Sequence, residues 1–307
     1  MSAKNLVVLS GKGGTGKTSL SAAFAHLFSI SQGTSFPVMV DADVDAANLS
    51  LVLNPSPSEA QEFWGGGLAV IDPSICDGCD ACFQVCRYDA VIRGEGSGNS
   101  YAVDPIACDG CAACVYTCPE KAIKMVPQQE GEWFHSTTPY GTLFHAELFP
   151  GRENSGKLVT LIKQHARLYA DDTRSKVIII DGPPGIGCPV ISACAGADLG
   201  LMVTEPGVSA LHDLKRIYST LHHFHIPTAI CINKADLYPQ GVTDIYQFAH
   251  QEDIHVLGEI PFDEHIPISM VREMPVTCAF ENSSAAISIR SIFEKITEIL
   301  IGNTAED

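Results

Sequence analysis

Residues 11–18 read Gly11-Lys12-Gly13-Gly14-Thr15-Gly16-Lys17-Thr18, and this stretch decides the fold. A short apolar run, Leu6-Val7-Val8-Leu9, comes just before it and is typical of a buried strand. The residues from Lys17 to about Ile30 lack Pro and Gly and place apolar side chains at helical spacing. A strand, a loop of the form G-x-x-x-x-G-K-[ST] and a helix, in this order, predict a phosphate-binding loop.

The chemistry of phosphate binding explains the composition of this loop. Glycines allow backbone N–H groups to converge on phosphate oxygens, and the start of a helix adds partial positive charge. Lys17 is predicted to contact the β- and γ-phosphates of a nucleotide, and Thr18 to bind Mg²⁺. The nucleotide contacts are therefore predicted at Gly11, Gly13, Gly14, Thr15, Gly16, Lys17 and Thr18.

A second lysine, Lys12, sets this loop apart from an ordinary phosphate loop. The loop resembles that of the deviant Walker-A ATPases, the MinD/ParA/Mrp family, which also includes the nitrogenase iron protein. In that family the extra lysine reaches the nucleotide of the partner subunit in a dimer closed on ATP. The resemblance implies an ATPase that binds ATP and ADP, a catalytic role for Lys12 in trans beside Lys17, and a homodimer or related heterodimer on ATP binding.

Carboxylates follow two more apolar strands in the pattern of the same family. Asp41-Ala42-Asp43 comes after Val38-Met39-Val40 and resembles switch I. This resemblance implies that Asp43 positions the attacking water and that Asp41 lies near Mg²⁺, roles that suit carboxylates. Asp181 follows Val177-Ile178-Ile179-Ile180 and resembles the Walker B residue of the Mg²⁺ shell.

A further polar element, Asn233-Lys234-Ala235-Asp236, follows the strand that begins near Thr228. It resembles the base-recognition element of the family, which implies that Asn233 contacts adenine. The pattern N-K-x-D also recognises the guanine base in GTPases. The family resemblance favours ATP, and the choice of base stays open to test.

Cysteines crowd into two runs of the same form, C-x₂-C-x₂-C-x₃-C. This is the bacterial two-cluster pattern, in which the fourth Cys of each run binds the other cluster. Zinc also binds C-x-x-C pairs, but triple runs favour cubane clusters. Two [4Fe–4S] clusters are therefore predicted, one on Cys76, Cys79, Cys82 and Cys118 and the other on Cys108, Cys111, Cys114 and Cys86.

The two cysteine runs belong to an internal repeat, since Asp72–Cys79 closely matches Asp104–Cys111. Strands alternate with helical stretches on either side of the repeat, which favours a parallel, doubly wound sheet. The predicted fold is α/β: a P-loop NTPase with a mainly parallel sheet, interrupted by a small α+β ferredoxin-like domain. The predicted domains are a discontinuous ATPase domain at residues 1–65 and 127–307 and a two-cluster ferredoxin insert at residues 66–126.

The composition of the chain indicates which binding partners and which cellular compartment are compatible with it. The net charge of −17 disfavours nucleic acid and is compatible with a basic protein partner in redox or iron–sulfur chemistry. The chain has 12 cysteines, and the C-x-x-C spacings among them favour metal over disulfides. No apolar run approaches the roughly 20 residues that span a bilayer, and no signal-peptide pattern is present, so we expect a cytoplasmic protein without a stable membrane anchor.

Three functions fit these features. The first is an ATP-hydrolysing redox switch, in which a nucleotide-driven dimer is coupled to two [4Fe–4S] clusters for electron transfer or redox-dependent partner binding. The second is an iron–sulfur assembly or carrier protein of the Mrp kind, and the third is a MinD-like spatial regulator with redox sensing. Cys188 stands near where the nitrogenase iron protein places a cysteine for its bridging cluster, but a small structural residue is the simpler interpretation.

Overall fold

The computed structural model describes residues 2–31, 36–94, 100–152 and 155–302, so residues 303–307 of the predicted ATPase domain lie outside it. The chain divides into two compact units. The larger unit comprises residues 1–60, 133–147 and 155–307. The smaller unit, here called the cysteine unit, comprises residues 61–132 and 148–154.

The larger unit is built on five strands that the sequence predicts and on three that it does not, β8, β9 and β13. Its strands are β1 (Lys4–Ser10), β2 (Val38–Asp41), β8 (Gly131–Thr138), β9 (Gly141–Leu148), β10 (Val177–Pro184), β11 (Leu199–Thr204), β12 (Thr228–Asn233) and β13 (His255–Ile260). Their order across the sheet is β13-β12-β11-β1-β10-β2-β9-β8. Neighbours from β13 through β9 pair in parallel, which confirms the predicted α/β fold with a mainly parallel sheet.

Helices connect these strands. They are α1 (Lys17–Ser31), α2 (Leu49–Leu53), α5 (Ser155–Thr173), α6 (Cys188–Cys194), α7 (Val208–His223), α8 (Pro239–Gln251), α9 (His265–Val271), α10 (Val276–Ala279) and α11 (Ser284–Ile301). A short 3₁₀ turn covers Ala235–Leu237. Of these, α1, α5, α6, α7 and α8 lie between parallel strands, where a crossover needs a connection of this length, and α9, α10 and α11 follow β13.

Both faces of the central sheet are covered. Leu6 and Val8 belong to a core cluster with Phe24 of α1 and Phe293 of α11. Val7, which alternates to the opposite face of β1, is also fully buried. A sheet covered on both sides requires continuous apolar strands, as in Val177–Ile180 of β10.

Strands β8 and β9 extend the sheet beyond β2, with Val38 opposite Thr142. Aromatic and histidine side chains stack along them. His135 stacks on Phe144 with ring centroids 4.7 Å apart, and His145 stacks on Phe134 at 4.8 Å. These two cross-strand stacks supply side-chain packing between β8 and β9.

The cysteine unit repeats one structural motif twice. Its elements are β3 (Gln61–Phe63), β4 (Gly66–Ile71), α3 (Ala81–Val85), β5 (Val91–Arg93), β6 (Tyr101–Val103), α4 (Ala113–Thr117) and β7 (Ile123–Gln128). Strand β4 pairs antiparallel with β7, and β5 pairs antiparallel with β6. The first half consists of β4, α3 and β5, and the second half of β6, α4 and β7. Each half therefore contributes a strand, a short helix and a second strand.

The backbone of the two halves agrees in detail. The N–H groups of Cys76 and Cys108 donate to the carbonyls of Asp72 and Asp104, at 3.0 and 3.1 Å. Gly78 and Gly110 have φ values of 77° and 74°, in the left-handed region that favours glycine. The repeat in the sequence thus corresponds to a repeat in conformation.

The cysteine unit is wider than the predicted insert at residues 66–126. The N–H of Glu130 donates to the carbonyl of Phe63 at 2.8 Å, and the N–H of Phe149 donates to the carbonyl of Glu130 at 2.8 Å. These backbone bonds join β3 and residues 148–152 to the unit. The sequence pattern did not reveal them, because they involve no cysteine and no periodic apolar run.

His145 is expected to make the larger unit sensitive to acid. Burial lowers the pKa of His145 to about 4, so the folded state binds a proton less readily than the unfolded chain. The contribution of His145 to stability is therefore present above about pH 6.5 and is lost as the pH falls towards 4. Between pH 7.5 and 5, wild type should lose about 2 kcal/mol more than His145→Gln in the free energy of unfolding, measured in urea.

The matched control is His250→Gln, at an exposed position of α8. That variant should follow wild type across the same range of pH. Equal acid sensitivity of wild type and His145→Gln would show that the buried imidazole is not responsible.

Candidate functional site

The phosphate loop connects β1 to α1, as its sequence predicts. Lys17 opens α1 and is buried, with 7% of its surface exposed. Gly16 has a φ of +97°, and a Cβ at this position would overlap the side-chain amide of Asn233. Only glycine therefore allows Asn233 to approach the loop this closely.

Strand register places two predicted carboxylates side by side. Asp181 of β10 pairs with Asp41 of β2 and with Val8 of β1. The hydroxyl of Thr18 donates to one oxygen of Asp181 at 2.7 Å, and the hydroxyl of Ser21 donates to the other at 2.9 Å. Three segments far apart in the sequence thus meet at the carboxyl ends of adjacent parallel strands.

The loop after β2 supports Asp41 from its own backbone. The N–H of Asp43 donates to one oxygen of Asp41 at 3.2 Å, and the N–H of Leu49 donates to the other at 2.9 Å. Neither Asp41 nor Asp181 is more than 1% exposed. The orientation of both carboxylates is therefore set before any ligand binds.

The carboxylates repel one another and lack bulk water to solvate their charge. Burial, and then the charge of Asp181, raise the pKa of Asp41 well above its ordinary value. Burial also raises the pKa of Asp181, although the nearby Lys17 charge opposes the shift. Burial raises the pKa of the half-buried Asp43 to about 6, again with Lys17 opposing. Together, Asp41, Asp43 and Asp181 carry more negative charge than the single positive charge of Lys17 compensates.

This arrangement fits a hard divalent cation. Carboxylate and hydroxyl oxygens are the ligands that Mg²⁺ prefers, and it usually takes one or two carboxylates together with phosphate oxygens. Asp181, Thr18 and Asp41 supply such oxygens beside the phosphate loop. A cation here would also compensate the repulsion between the two buried carboxylates.

A cavity of about 420 Å³ opens beside the phosphate loop. This volume lies within the range of small-molecule pockets. Polar groups of the loop form one side, and apolar side chains that the sequence did not single out form the other. The cavity is lined by Gly14, Gly16, Lys17, Thr18, Ser19, Asn48, Asn233, Lys234, Pro261, Phe262, Asp263, Ile266, Pro267 and Met270.

Asn233 lines the cavity but is engaged by the backbone. Its amide nitrogen donates to the carbonyl of Thr15 at 2.8 Å, and its oxygen accepts from the N–H of Lys234 at 3.0 Å. Asp236, at the end of the same element, accepts from the N–H of Phe262 at 2.6 Å. In this structure Asn233 braces the phosphate loop, and its contact with adenine stays a prediction.

Lys12 forms an ion pair that the sequence analysis did not predict. Its ammonium contacts one carboxylate oxygen of Glu205, and the ammonium of Lys234 contacts the other at 3.1 Å. Burial alone raises the pKa of Glu205, but hydrogen bonds from the two lysines outweigh it and hold the pKa below its usual range. The only sequence signal was the polar segment Thr204-Glu205-Pro206-Gly207 directly after an apolar strand.

The helix after the Asp181 segment is fixed at its carboxyl end. Lys163 of α5 donates to the carbonyls of Ser192, Ala193 and Ala195 at 2.6–2.8 Å. A cation at this end of α6 is favoured by the helix dipole, and burial lowers the pKa of Lys163 to about 8. Cys188, at the start of α6, is exposed.

The cysteines of the two runs surround a small core in the cysteine unit. Cys82 and Cys114 are buried in it, and Cys76, Cys86, Cys108 and Cys118 pack against it. Cys79 and Cys111 are exposed, and none of the eight forms a disulfide. Burial raises the pKa of Cys82 and Cys114, and so do neighbouring cysteines of the same run, Cys76 for the first and Cys108 and Cys111 for the second.

Two features are absent from the described ranges. No three His, Cys, Asp or Glu side chains there are grouped so that they could hold a single metal ion. No helix in the same ranges has the length and apolar character needed to cross a membrane.

The fold and the loop geometry together define a P-loop nucleotide-binding protein. A family model described as the CobQ/CobB/MinD/ParA nucleotide binding domain matches residues 6–276. The chain therefore belongs to the CobQ/CobB/MinD/ParA family of nucleotide-binding proteins, which includes the MinD and ParA ATPases. This membership agrees with the resemblance of its phosphate loop.

Relatives and solved structures extend the comparison. The uncharacterized protein MJ0578 of Methanocaldococcus jannaschii is 32% identical over 296 residues, covering 96% of this chain and 97% of the relative. The septum site-determining protein MinD from Pyrococcus horikoshii, complexed with Mg-ADP, superposes with a TM-score of 0.59 at 16% identity, covering 97% of each chain. An ATP complex of Cyanothece McdA gives 0.56 at 15% identity, covering 99% of each. At these identities the solved structures show a shared fold.

Asp181→Asn is expected to stabilise the protein without ligand and to abolish its response to Mg²⁺. Removing one of the neighbouring buried charges relieves repulsion, so the free energy of unfolding at pH 8 should rise by about 1 kcal/mol in urea. Binding of a fluorescent ATP analogue should lose its dependence on Mg²⁺. Asp45→Asn, at an exposed position of the same cluster of acids, should change stability by less than about 0.5 kcal/mol. A loss of stability in Asp181→Asn would mean that the carboxylate is structural.

Proposed function

We propose that this protein is a Mg²⁺-dependent ATPase whose nucleotide-driven dimer is coupled to two [4Fe–4S] clusters in the cysteine unit. The coupling would serve electron transfer or redox-dependent binding of a protein partner. The observation that carries the ATPase part is the meeting of Asp41, Asp181 and Thr18 beside the phosphate loop. Family membership supports the same conclusion.

Six polar groups of the site are proposed to act in phosphoryl transfer. Lys17, buried at the start of α1, is placed to neutralise the β- and γ-phosphates. Asp43 is half-buried at the rim and can accept a hydrogen bond from the attacking water. Thr18, Asp41 and Asp181 would hold Mg²⁺, which neutralises phosphate charge when bound. Lys12 would supply a positive charge to the nucleotide of a partner subunit, as the family resemblance implies.

The base is proposed to be adenine, with Asn233 as one of its contacts. Each polar atom of that side chain bonds to one backbone group and keeps a second hydrogen-bonding position. Pro261, Phe262 and Met270 provide an apolar wall of the cavity on which a flat purine ring can pack. Competition between ATP and GTP for the site tests this assignment directly.

The cysteine unit is proposed to hold the clusters on the two predicted sets, Cys76, Cys79, Cys82 and Cys118, and Cys108, Cys111, Cys114 and Cys86. In a cubane cluster each thiolate binds a different iron, so the sulfurs need not converge on one point as they do around a single ion. Two equivalent turns with six cysteines around one apolar core support this proposal. Such clusters, when bound, exchange single electrons.

A MinD-like spatial regulator is the second candidate. It is favoured by the full-length likeness of the fold to MinD and McdA. In that case the clusters would report redox state without passing electrons to an acceptor protein. The alternative of an iron–sulfur carrier requires a cluster that leaves to an acceptor, and it becomes the better explanation if iron transfer is observed.

The first test is anaerobic ATP turnover by the protein as purified with its clusters, oxidised and then reduced with dithionite. Turnover is expected to change with redox state, and Lys12→Ala should lower it at least about tenfold, because removing a transition-state charge costs this much or more. Lys176→Ala removes an exposed lysine at the amino end of β10, opposite the site, and should leave turnover unchanged.

Turnover that is indifferent to redox state would contradict the coupling and favour a docking or storage role for the cysteine unit. Full activity in Lys12→Ala would contradict the proposed role in trans. Turnover of GTP in preference to ATP would overturn the assignment of the base.

The clusters themselves are tested by iron content and spectroscopy, independently of ATP. Cys111→Ser is expected to lose one cluster and about half of the bound iron and inorganic sulfide of wild type. Cys278→Ser, outside the cysteine unit, should retain all of it. Bound zinc in place of iron and sulfide would refute the cluster assignment.

A further inference from the structure

The carboxylate of Glu205 contacts two lysines, Lys12 of the phosphate loop and Lys234, which follows β12. Lys12 contacts one oxygen and Lys234 the other, at 3.1 Å for the second pair. Lys234 also donates to the carbonyl of Gly14 at 3.3 Å. The side chain of Glu205 is 21% exposed, while those of Lys12 and Lys234 are 40% and 32% exposed.

The fold explains why Glu205 reaches the loop. Strand β11, which ends at Thr204, pairs in parallel with β1, which leads into the loop. Both strands therefore end at the same edge of the sheet. Pro206 follows immediately and disfavours helical backbone at Glu205, and α7 begins only at Val208.

The contact with Glu205 engages the positive charge of Lys12. Lys12 is the lysine proposed to act on the nucleotide of a partner, yet here it is paired within its own subunit. A lysine ammonium is a compact charge on a flexible stem, and its movement to a phosphate across a dimer requires the carboxylate contact to break. The ammonium of Lys234 donates to the carboxylate of Glu205 and to the backbone carbonyl of Gly14 in the loop.

We propose that Glu205 is a positioning residue that holds Lys12 in cis until ATP-dependent association replaces the carboxylate with phosphate. This inference rests on the proposed function, because it assigns the regulation of the same site. Glu205 opposes association of the nucleotide-free protein and makes Lys12 available only when phosphate competes for it.

The test is self-association of the cluster-containing protein with Mg²⁺ and a non-hydrolysable ATP analogue, followed by analytical ultracentrifugation. Glu205→Gln keeps the shape of the side chain and removes its charge. It is expected to lower the protein concentration for half-association about two- to fivefold, which is the range that partly exposed ion pairs support. The difference from wild type should shrink as salt rises, because salt screens the pair that wild type must break.

A double-mutant cycle separates this role from a structural one. In the Lys12→Ala background, Glu205→Gln should no longer strengthen association, since the lysine that it restrains is absent. Glu294→Gln, which removes one exposed carboxylate from α11, controls for the change in net charge and should behave as wild type. Thermal melting confirms folding of each variant, and Glu205→Ala is a second neutral variant if glutamine disturbs the fold.

Association that is unchanged or weaker in Glu205→Gln, in a protein that otherwise associates on the analogue, would overturn the restraint and leave the proposed function intact. An equal effect of Glu205→Gln with and without Lys12 would overturn it as well. Failure of wild type to bind the analogue at all would instead overturn the proposed function, which direct binding of a fluorescent ATP analogue shows separately.

Discussion

The parallel pairing of β1, β10 and β2 is the constraint on which the rest of the site depends. It aligns Asp181 with Asp41 and brings α1, with Thr18 and Ser21, against the same carboxylate. Both acids lie in the interior, where an apolar pair would be more stable. The large apolar core around Phe24 and the sheet tolerates this cost, and the result is a site in which the oxygen atoms are oriented in advance.

The loops at the carboxyl edge of the sheet are held together by contacts between segments that are distant in sequence. Asn233 bonds to the carbonyl of Thr15, and Glu205 joins Lys12 to Lys234. Residues that a motif assigns to ligand recognition thus also serve as braces of the phosphate loop. Where such a polar group turns to a ligand, the ligand replaces its bond within the protein. Ligand binding can in this way be coupled to the contacts that hold the phosphate loop.

The cysteine unit depends on a different constraint, the repetition of one turn and one short helix. Two left-handed glycines and two buried cysteines recur at equivalent places around a shared core. Thiols in this core have raised pKa values through burial and through one another, so thiolates are disfavoured there without a positive partner. Iron coordination would supply such a partner, but the proposal of clusters rests on the spacing of the two cysteine runs.

Sequence alone determined the phosphate loop, the strand–helix alternation and the cysteine repeat, because each is a local pattern of glycine, apolar or thiol residues with fixed spacing. It also placed Asp41 and Asp181 at the ends of apolar strands. Polar residues that end parallel strands lie at the same edge of the sheet. It did not predict β8 and β9, where cross-strand stacks such as His135 on Phe144 replace an apolar pattern. The partners of Lys12 and Asn233 were decided only by the tertiary structure, because strand order, which no local spacing encodes, determines which loops meet.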